Sequence, residues 1–184
     1  MAAEIQSLPF TGDDDADRLL VAEPLALLIG TLLQEHIPKA WAFHSPLDLK
    51  ERMGGRLDVD EIANFDPGRM VEIFLGPPAL SRSPTLMAAR TQELCRHLAE
   101  HYAGKAERSW TDATTGEELL ANLVALPGFG DHKARRFLLV LAEDLGVTPP
   151  GWEEAAGDYV NRPWYSVATR PRRVNTDAGA EPRK

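Results

Sequence analysis

Residues 126–137 read LPGFGDHKARRF, and this stretch predicts a tight turn between two helices. Apolar residues at helical spacing precede it in LLANLVAL and follow it in FLLVLAEDL. Pro127 cannot extend the first helix, and Gly128 and Gly130 allow a backbone with positive φ. Since so few residues separate the two apolar runs, the sequence predicts a helix-hairpin-helix over residues 117–145.

The same turn has the features of an anion-binding site. The second helix begins beside Gly130, where free N–H groups and the positive end of the helix dipole face outward. Glycines carry no Cβ, so another molecule can approach the backbone closely. Lys133, Arg135 and Arg136 add positive charge in the first turns. A phosphodiester suits such a site, and a plain turn with a solvated basic face is the alternative.

The rest of the chain predicts an all-α protein. Of its 184 residues, 43% are apolar, which is enough for a core, and no apolar run approaches the length of a membrane span. Helix starts recur as Ser45-Pro46, Asp66-Pro67 and Ser83-Pro84. No segment alternates with period two, which argues against strands.

Two further patterns complete this outline of helices. Thr115 and Glu118 have the spacing of a capping box before LLANLVAL. After Gly146, prolines and glycines in VTPPGWEEAAGDYVNRPWYS predict an irregular connection. We therefore expect an N-terminal acidic segment and helix over 1–22, a helical domain over 23–169 and a disordered basic tail over 170–184.

Charge and cysteine content narrow the function classes. The net charge of −8 combines +3 in the tail with −11 in the remainder, and an acidic body can still bind DNA because phosphate contacts are local. The acidic N-terminus does not resemble a signal peptide, which predicts a cytoplasmic location. A lone cysteine, Cys95, excludes an intramolecular disulfide and a four-cysteine cluster, and we expect a buried, inert thiol.

The hairpin LPGFGDHKA resembles the L-P-G-V-G-x-K-T-A signature of the helix-hairpin-helix DNA glycosylases, the HhH-GPD superfamily that includes endonuclease III and the adenine glycosylase MutY. A second stretch, PLALLIGTLLQEHIPKAWAF, is similar to the early helix and strand-wedging turn of the superfamily. The resemblance covers residues 24–157 and is closest to short actinobacterial HhH-GPD-type proteins. It implies a two-lobed all-α fold that binds DNA across a cleft and flips a damaged or mispaired base into a pocket.

The resemblance also implies roles for individual residues. The implied DNA-binding residues are Gly128, Phe129, Gly130, His132, Lys133, Arg136 and His36. His36 stands where relatives carry a glutamine that fills the gap left by the flipped base, and an exposed turn residue is its alternative. His132 stands where bifunctional members carry the lysine that forms a Schiff base. Lys133 is rotated by about 100° from that position around a helix, so we expect no AP-lyase activity.

Hydrolysis of a glycosidic bond also requires a carboxylate, which relatives carry in a V-D-T-H-like element beyond the hairpin. No such element occurs here, and Glu153, Glu154 and Asp158 are the candidates by spacing, each with the alternative of an exposed acid on a short helix. Trp152 is the candidate for a base-stacking pocket. It is chosen from the aromatic residues Trp41, Phe43, Trp152, Tyr159, Trp164 and Tyr165.

These features together predict a monofunctional DNA N-glycosylase of base excision repair. We expect it to act as a monomer on double-stranded DNA with a damaged or mispaired base, in the cytoplasm and in association with the nucleoid. We expect no metal cofactor and no iron–sulfur cluster, although the resemblance is compatible with a monovalent cation at the hairpin carbonyls. Two alternatives stay open: a non-catalytic helix-hairpin-helix module that recognises lesions or scaffolds repair, and a structural hairpin on a protein-binding body.

Overall fold

The computed structural model describes residues 5–161, which form ten α-helices and no strand, as the sequence predicts. The helices are α1 (Asp14–Ala22), α2 (Pro24–Leu33), α3 (Lys39–Arg52), α4 (Val59–Asn64), α5 (Pro67–Leu75), α6 (Pro84–Tyr102), α7 (Arg108–Thr111), α8 (Gly116–Val124), α9 (Asp131–Leu139) and α10 (Trp152–Ala156). A π-helix, Val140–Asp144, continues α9, and a 3₁₀ helix, Gly157–Asn161, continues α10. The basic tail 170–184, with Trp164 and Tyr165 before it, lies outside the described residues.

The helices pack in three groups around one hydrophobic core. Helices α1 and α3 pack against α2, helices α4 and α5 pack against α6, and helices α8, α9 and α10 pack against one another. Leu25 and every later residue of α2 are buried. Leu8 and Leu20 from the N-terminal segment belong to the same core, so this segment and the helical domain fold together.

Helices α2 and α3 contact each other directly at Gly30. A Cβ atom at this position would lie 2.6 Å from Cδ1 of Phe43 and 3.3 Å from its Cα. Phe43 is only 1% exposed, so its ring has little room to move. The absence of a side chain at Gly30 therefore sets how closely the two helices approach.

The predicted helix start at Ser45-Pro46 is wrong. Helix α3 begins at Lys39 and continues through Pro46, which has no N–H to donate to the helix. Ser45 is fully buried, and its hydroxyl oxygen lies 2.9 Å from each of the carbonyl oxygens of Trp41 and Leu80, which share its one hydrogen. Burial of this face in the core outweighs the missing hydrogen bond.

Other predicted helix starts are confirmed. Asp66 caps α5 by accepting from the Arg69 N–H at 2.8 Å, and α6 begins at Pro84. Thr115 caps α8 through the Glu118 N–H at 3.1 Å. The carboxylate of Glu118 accepts from the Thr114 N–H at 2.8 Å, one residue earlier than in a regular capping box, and this bond lowers the pKa of Glu118.

The irregular connection predicted after Gly146 is wrong over residues 152–161, where α10 and the 3₁₀ helix form. Tertiary contact overrides the local preference of glycine and proline there. The N–H of Gly116 donates to the carbonyl of Pro150 at 2.8 Å, and a Cβ on Gly116 would lie 2.3 Å from the carbonyl oxygen of Gly151. The start of α8 thus holds this segment in place.

The π-helix places Asp144 close to the start of α3. Asp144 is half-buried, and desolvation raises the pKa of its carboxyl, with Lys39 opposing the shift. Burial lowers the pKa of Lys39 to about 8, and its Nζ lies 3.3 Å from the centroid of the Phe10 ring. The end of the second hairpin helix therefore lies against the α2–α3 group.

Replacing Gly30 with alanine should destabilise the protein. The added methyl gains about 1 kcal/mol of helix propensity, but overpacking against Phe43 costs about 1–3 kcal/mol. Urea denaturation of the wild type, Gly30→Ala, Phe43→Leu and the double variant measures both effects. The cost of Gly30→Ala should shrink in the Phe43→Leu background, and an equal cost in both backgrounds would contradict this packing.

Cys95 should not react with thiol reagents in the folded protein. Its side chain is fully buried, and burial raises its pKa to about 12, so the thiolate is scarce at pH 8. Ellman's reagent should label it only after denaturation in urea, on the time scale of unfolding. Rapid labelling of the native protein would show that the packing around Cys95 of α6 opens to solvent without global unfolding.

Candidate nucleic-acid interface

A cleft of about 580 Å³ lies between the end of α2 and the start of α9, with α6 contributing Arg90. The seven predicted DNA-binding residues all line it: His36, Gly128, Phe129, Gly130, His132, Lys133 and Arg136. His36 is exposed in the turn between α2 and α3, and its φ of 58° is in the left-handed region. The fold therefore brings the two stretches that carry the sequence resemblance to one surface.

The hairpin between α8 and α9 is closed by a hydrogen bond from the Phe129 N–H to the Leu126 carbonyl at 3.0 Å. Gly128 has a φ of +80°, and a Cβ there would lie 2.4 Å from Cδ1 of Leu32. Gly130 has a φ of −78°, so of the two glycines that allow positive φ only Gly128 uses it. A Cβ on Gly130 would meet nothing within 4 Å, which leaves its backbone open to an incoming molecule.

The N-terminus of α9 has the predicted features of an anion site. No side chain caps it at Gly130, and the first backbone hydrogen bond of the helix runs from the Ala134 N–H to the Gly130 carbonyl at 2.9 Å. Arg135 adds less charge to this site than expected, because its Nε donates to Asp131 at 2.9 Å. This pairing lowers the pKa of Asp131.

The side chain of Phe129 belongs to the core and not to the surface. It is 3% exposed and packs edge-to-face on Phe137, with ring centroids 5.9 Å apart. The prediction that Phe129 contacts DNA is therefore wrong for its ring, which a duplex cannot reach in this fold. Only its backbone is close enough to the cleft to contribute.

Lys133 and Arg90 converge on one carboxylate, that of Glu35. Arg90 Nη1 donates to Glu35 Oε2 at 2.8 Å, and Lys133 Nζ lies 3.7 Å from the same oxygen. Lys133 Nζ also donates to the carbonyl of Leu32 at 2.8 Å. Desolvation lowers the pKa of Lys133, and Glu35 opposes this shift. Lys133 thus points to the end of α2.

Sequence reasoning did not single out Arg90 or Glu35 as site residues. One signal was available for Arg90, because it interrupts the apolar series Leu86, Leu94 and Leu98 at helical spacing along α6. A charged residue in such a series implies a partner from another element. The partner itself could not be identified, since Glu35 lies 55 residues away in the chain.

His132 contacts Tyr159 at the edge of the cleft. The imidazole Nδ1 and the phenol oxygen are hydrogen-bonded, and the rings meet at 65° with centroids 5.3 Å apart. Tyr159 comes from the 3₁₀ helix that follows α10. This contact orients the His132 ring, and it connects the C-terminal segment of the described chain to the hairpin.

The three candidate carboxylates lie outside the cleft. Glu153, Glu154 and Asp158 are all exposed, and Glu154 faces a separate groove that also includes Arg135. Of the three, Asp158 is nearest in sequence to Tyr159, which contacts the cleft residue His132. Within residues 5–161, Glu35 is the carboxylate that lines the cleft.

Trp152, the predicted pocket residue, does not line the cleft either. It begins α10 and is partly buried against the hydrophobic core, because α10 packs on α8. The structure therefore keeps Trp152 outside the cleft that His36 and the hairpin turn line. Among the aromatic candidates, Tyr159 contacts a residue of the cleft, His132.

The hairpin carbonyls are the groups expected to bind a monovalent cation. The carbonyls of Leu126 and Gly130 each accept a backbone hydrogen bond, which uses one of the two lone pairs of each oxygen. Cation binding at the hairpin stays a prediction.

None of the helices formed by residues 5–161 combines the length and the apolar character needed to cross a membrane.

Comparison with known proteins gives similarity among solved structures only. No protein-family model matches the chain, and no curated protein matches it. The chain is similar to endonuclease III in a trapped covalent intermediate with DNA, with a TM-score of 0.48, 18% identity and coverage of 67% of this chain. It spans about half of that protein, 49% of its chain. It is also similar to a thermostable thymine-DNA glycosylase, with a TM-score of 0.43, 13% identity and coverage of 74% of this chain and 73% of that chain.

The two hairpin glycines should respond differently to alanine. Gly128→Ala should lower the free energy of unfolding by about 1–3 kcal/mol through its backbone conformation, with a further cost from the contact with Leu32. Gly130→Ala should cost only about 1 kcal/mol, because its φ of −78° suits alanine and only the preference of an N-cap for glycine over alanine is lost. Chemical denaturation measures both, and equal costs would contradict this description of the hairpin.

Proposed function

We propose that the protein binds double-stranded DNA across the cleft and acts in base excision repair. In this proposal it is a monofunctional DNA N-glycosylase that hydrolyses the bond between a damaged or mispaired base and its deoxyribose. One observation carries the proposal: the uncapped N-terminus of α9 and the exposed His36 face the same cleft. These are the elements that the sequence resemblance assigns to backbone binding and to strand wedging.

The hairpin is the proposed contact with the DNA backbone. A phosphate can approach Gly130 closely because no Cβ stands in its way, and the N–H groups at the start of α9 then donate to it. Arg136 lines the same cleft and adds positive charge. Binding of this kind depends on the backbone and not on base sequence.

The cleft is the proposed place for the flipped nucleotide. Its volume of about 580 Å³ is in the usual range for small-molecule sites. His36 projects from the turn on the other side of the cleft from the hairpin, where an imidazole can occupy the gap that the extruded base leaves in the duplex. Removal of the base then occurs away from the base stack.

The geometry supports a monofunctional reaction. A Schiff base requires a neutral amine that reaches the deoxyribose, and the imidazole of His132 cannot form one. The amine of Lys133 donates to the carbonyl of Leu32 at 2.8 Å, which directs it to the end of α2. We therefore expect an abasic site as the product, with no strand cleavage by the protein.

The reaction also needs a carboxylate that stabilises the positive charge developing on the sugar or orients the attacking water. Of Glu153, Glu154 and Asp158, we assign this role to Asp158, since the next residue, Tyr159, contacts His132 at the cleft edge. Glu153 and Glu154 are its competitors. Tyr159 would position Asp158 as well as the His132 ring.

The second candidate function is a non-catalytic DNA-binding module that recognises lesions or scaffolds repair. One observation favours it: none of the three candidate carboxylates lines the cleft. The two functions share the hairpin contact and differ only in chemistry. Detection of an abasic product therefore decides between them.

An excision assay tests the reaction. Wild type, Asp158→Asn, Glu153→Gln and Glu154→Gln are incubated with duplexes that carry uracil, hypoxanthine, 8-oxoguanine, alkylated purines or oxidised pyrimidines, and hot alkali then cleaves abasic sites. We expect strand breaks only after alkali and a loss of about 100-fold or more in Asp158→Asn. Glu61→Gln, on α4 and paired with Arg56, is the matched charge control.

Each other result changes the assignment. Breaks without alkali would contradict the monofunctional mechanism, and a loss confined to Glu153→Gln or Glu154→Gln would move the catalytic role to that residue. No breaks on any duplex, with DNA binding intact, would establish the non-catalytic module. No DNA binding at low salt would exclude both functions and leave the hairpin as a structural element.

A further inference from the structure

We propose that Arg90 and Lys133 form a phosphate-binding subsite in the cleft, and that the carboxylate of Glu35 occupies this subsite until a phosphodiester of DNA displaces it. The identity of the ligand as DNA rests on the proposed function. The subsite itself rests on the arrangement of three side chains from α6, α9 and the α2–α3 turn. It adds Arg90, a residue outside the hairpin, to the interface.

The positions of the charges support the subsite. Glu35 Oε2 accepts from Arg90 Nη1 at 2.8 Å and lies 3.7 Å from Lys133 Nζ. One anionic oxygen therefore bridges two cations, as a phosphate oxygen would. Both cations line the same cleft as the N-terminus of α9.

The stem of Arg90 connects this subsite to the hairpin. Its Cδ lies 3.8 Å from the position that a Cβ on Gly128 would take. A phosphate that approaches the hairpin backbone thus comes close to the Arg90 side chain. A guanidinium has five donors in a planar fork and binds carboxylate and phosphate with the same geometry. The bond to Glu35 leaves donors of Arg90 for such a ligand.

Two properties make Glu35 displaceable. The side chains of Arg90 and Glu35 are 31% and 36% exposed, so water and a ligand can reach the pair. The partly exposed pair of Arg90 and Glu35 contributes about 1 kcal/mol or less to stability. The more buried Lys133 keeps its bond to the Leu32 carbonyl when Glu35 leaves. Glu35 also lies after the end of α2, in the turn that carries His36, so its carboxylate can move without breaking a helix.

The subsite also adjoins the residue proposed to wedge the strand. Glu35 and His36 are consecutive residues of one turn, and both line the cleft. A phosphate in the subsite therefore lies beside the proposed strand wedge. Without a phosphate, the carboxylate of Glu35 occupies the subsite and weakens its attraction for any other anion.

The test compares the binding of a short duplex containing a tetrahydrofuran abasic-site analogue to wild type, Glu35→Gln and Glu61→Gln. Glu61→Gln also removes one negative charge, from an exposed pair with Arg56, and reports the long-range effect of charge alone. Glu35→Gln should bind roughly two- to fivefold more tightly than wild type, and more tightly than the control. The reason is that DNA no longer has to displace a carboxylate from Arg90 and Lys133. Adding Arg90→Gln to Glu35→Gln should abolish the gain.

Glu35→Gln that is folded and binds no more tightly than Glu61→Gln would overturn the proposal, and Glu35 would then be a purely structural partner of Arg90. If Glu35→Gln does not fold, Glu35→Asp decides, since it keeps the net charge but withdraws the carboxylate by one methylene. Tighter binding than wild type by Glu35→Asp supports the subsite. Equal or weaker binding overturns it.

A second probe separates this proposal from the proposed function. Inorganic phosphate is titrated into wild type and Glu35→Gln, and the amide NMR signals of Gly128 and Gly130 report its binding. Tighter phosphate binding by Glu35→Gln, without DNA binding by either protein, would support the subsite and exclude the proposed function. DNA binding with no effect of Glu35→Gln on either ligand would retain the proposed function and exclude the subsite.

Discussion

The contact between the hairpin and the end of α2 is the constraint on which the rest of the interface depends. Leu32 fills the space beside Gly128, and its carbonyl accepts from Lys133 at 2.8 Å. One residue of α2 therefore fixes both the turn and the first turn of α9. Because the chain leaves α2 immediately afterwards, His36 and Glu35 are held at a defined position opposite the hairpin.

Local sequence predicted much of the fold, and tertiary packing accounts for the differences. The caps at Asp66 and Thr115 are where the sequence places them, since a cap depends on neighbours within three residues. Pro46 misled the prediction because a buried helix face outweighs one missing hydrogen bond. Helix α10 was missed because its position depends on Pro150 and Gly116, which meet only in the folded chain.

The candidate site shows the same division at the level of side chains. The hairpin sequence predicted six of the residues that line the cleft, but it could not predict the direction of each side chain. Phe129 turns inward to Phe137, and Lys133 turns to a carbonyl 101 residues earlier in the chain. Pairs at such separations leave no periodic signal, and for this reason Glu35 became visible only in three dimensions. The choice among candidate carboxylates depends on contacts of the same kind.

The π-helix at the end of α9 makes the geometry of the interface sensitive to the number of residues in this segment. A π-helix holds one more residue than an α-helix of the same span, and each added residue turns the following side chains by about 100°. Val140–Asp144 thus sets the angle at which the chain leaves the hairpin toward the segment that carries Tyr159. An insertion or deletion of one residue between Leu141 and Asp144 would rotate the side chains that follow, while the residues that line the cleft kept their identity. Alignment gaps in this short segment are therefore as informative about the site as substitutions within it.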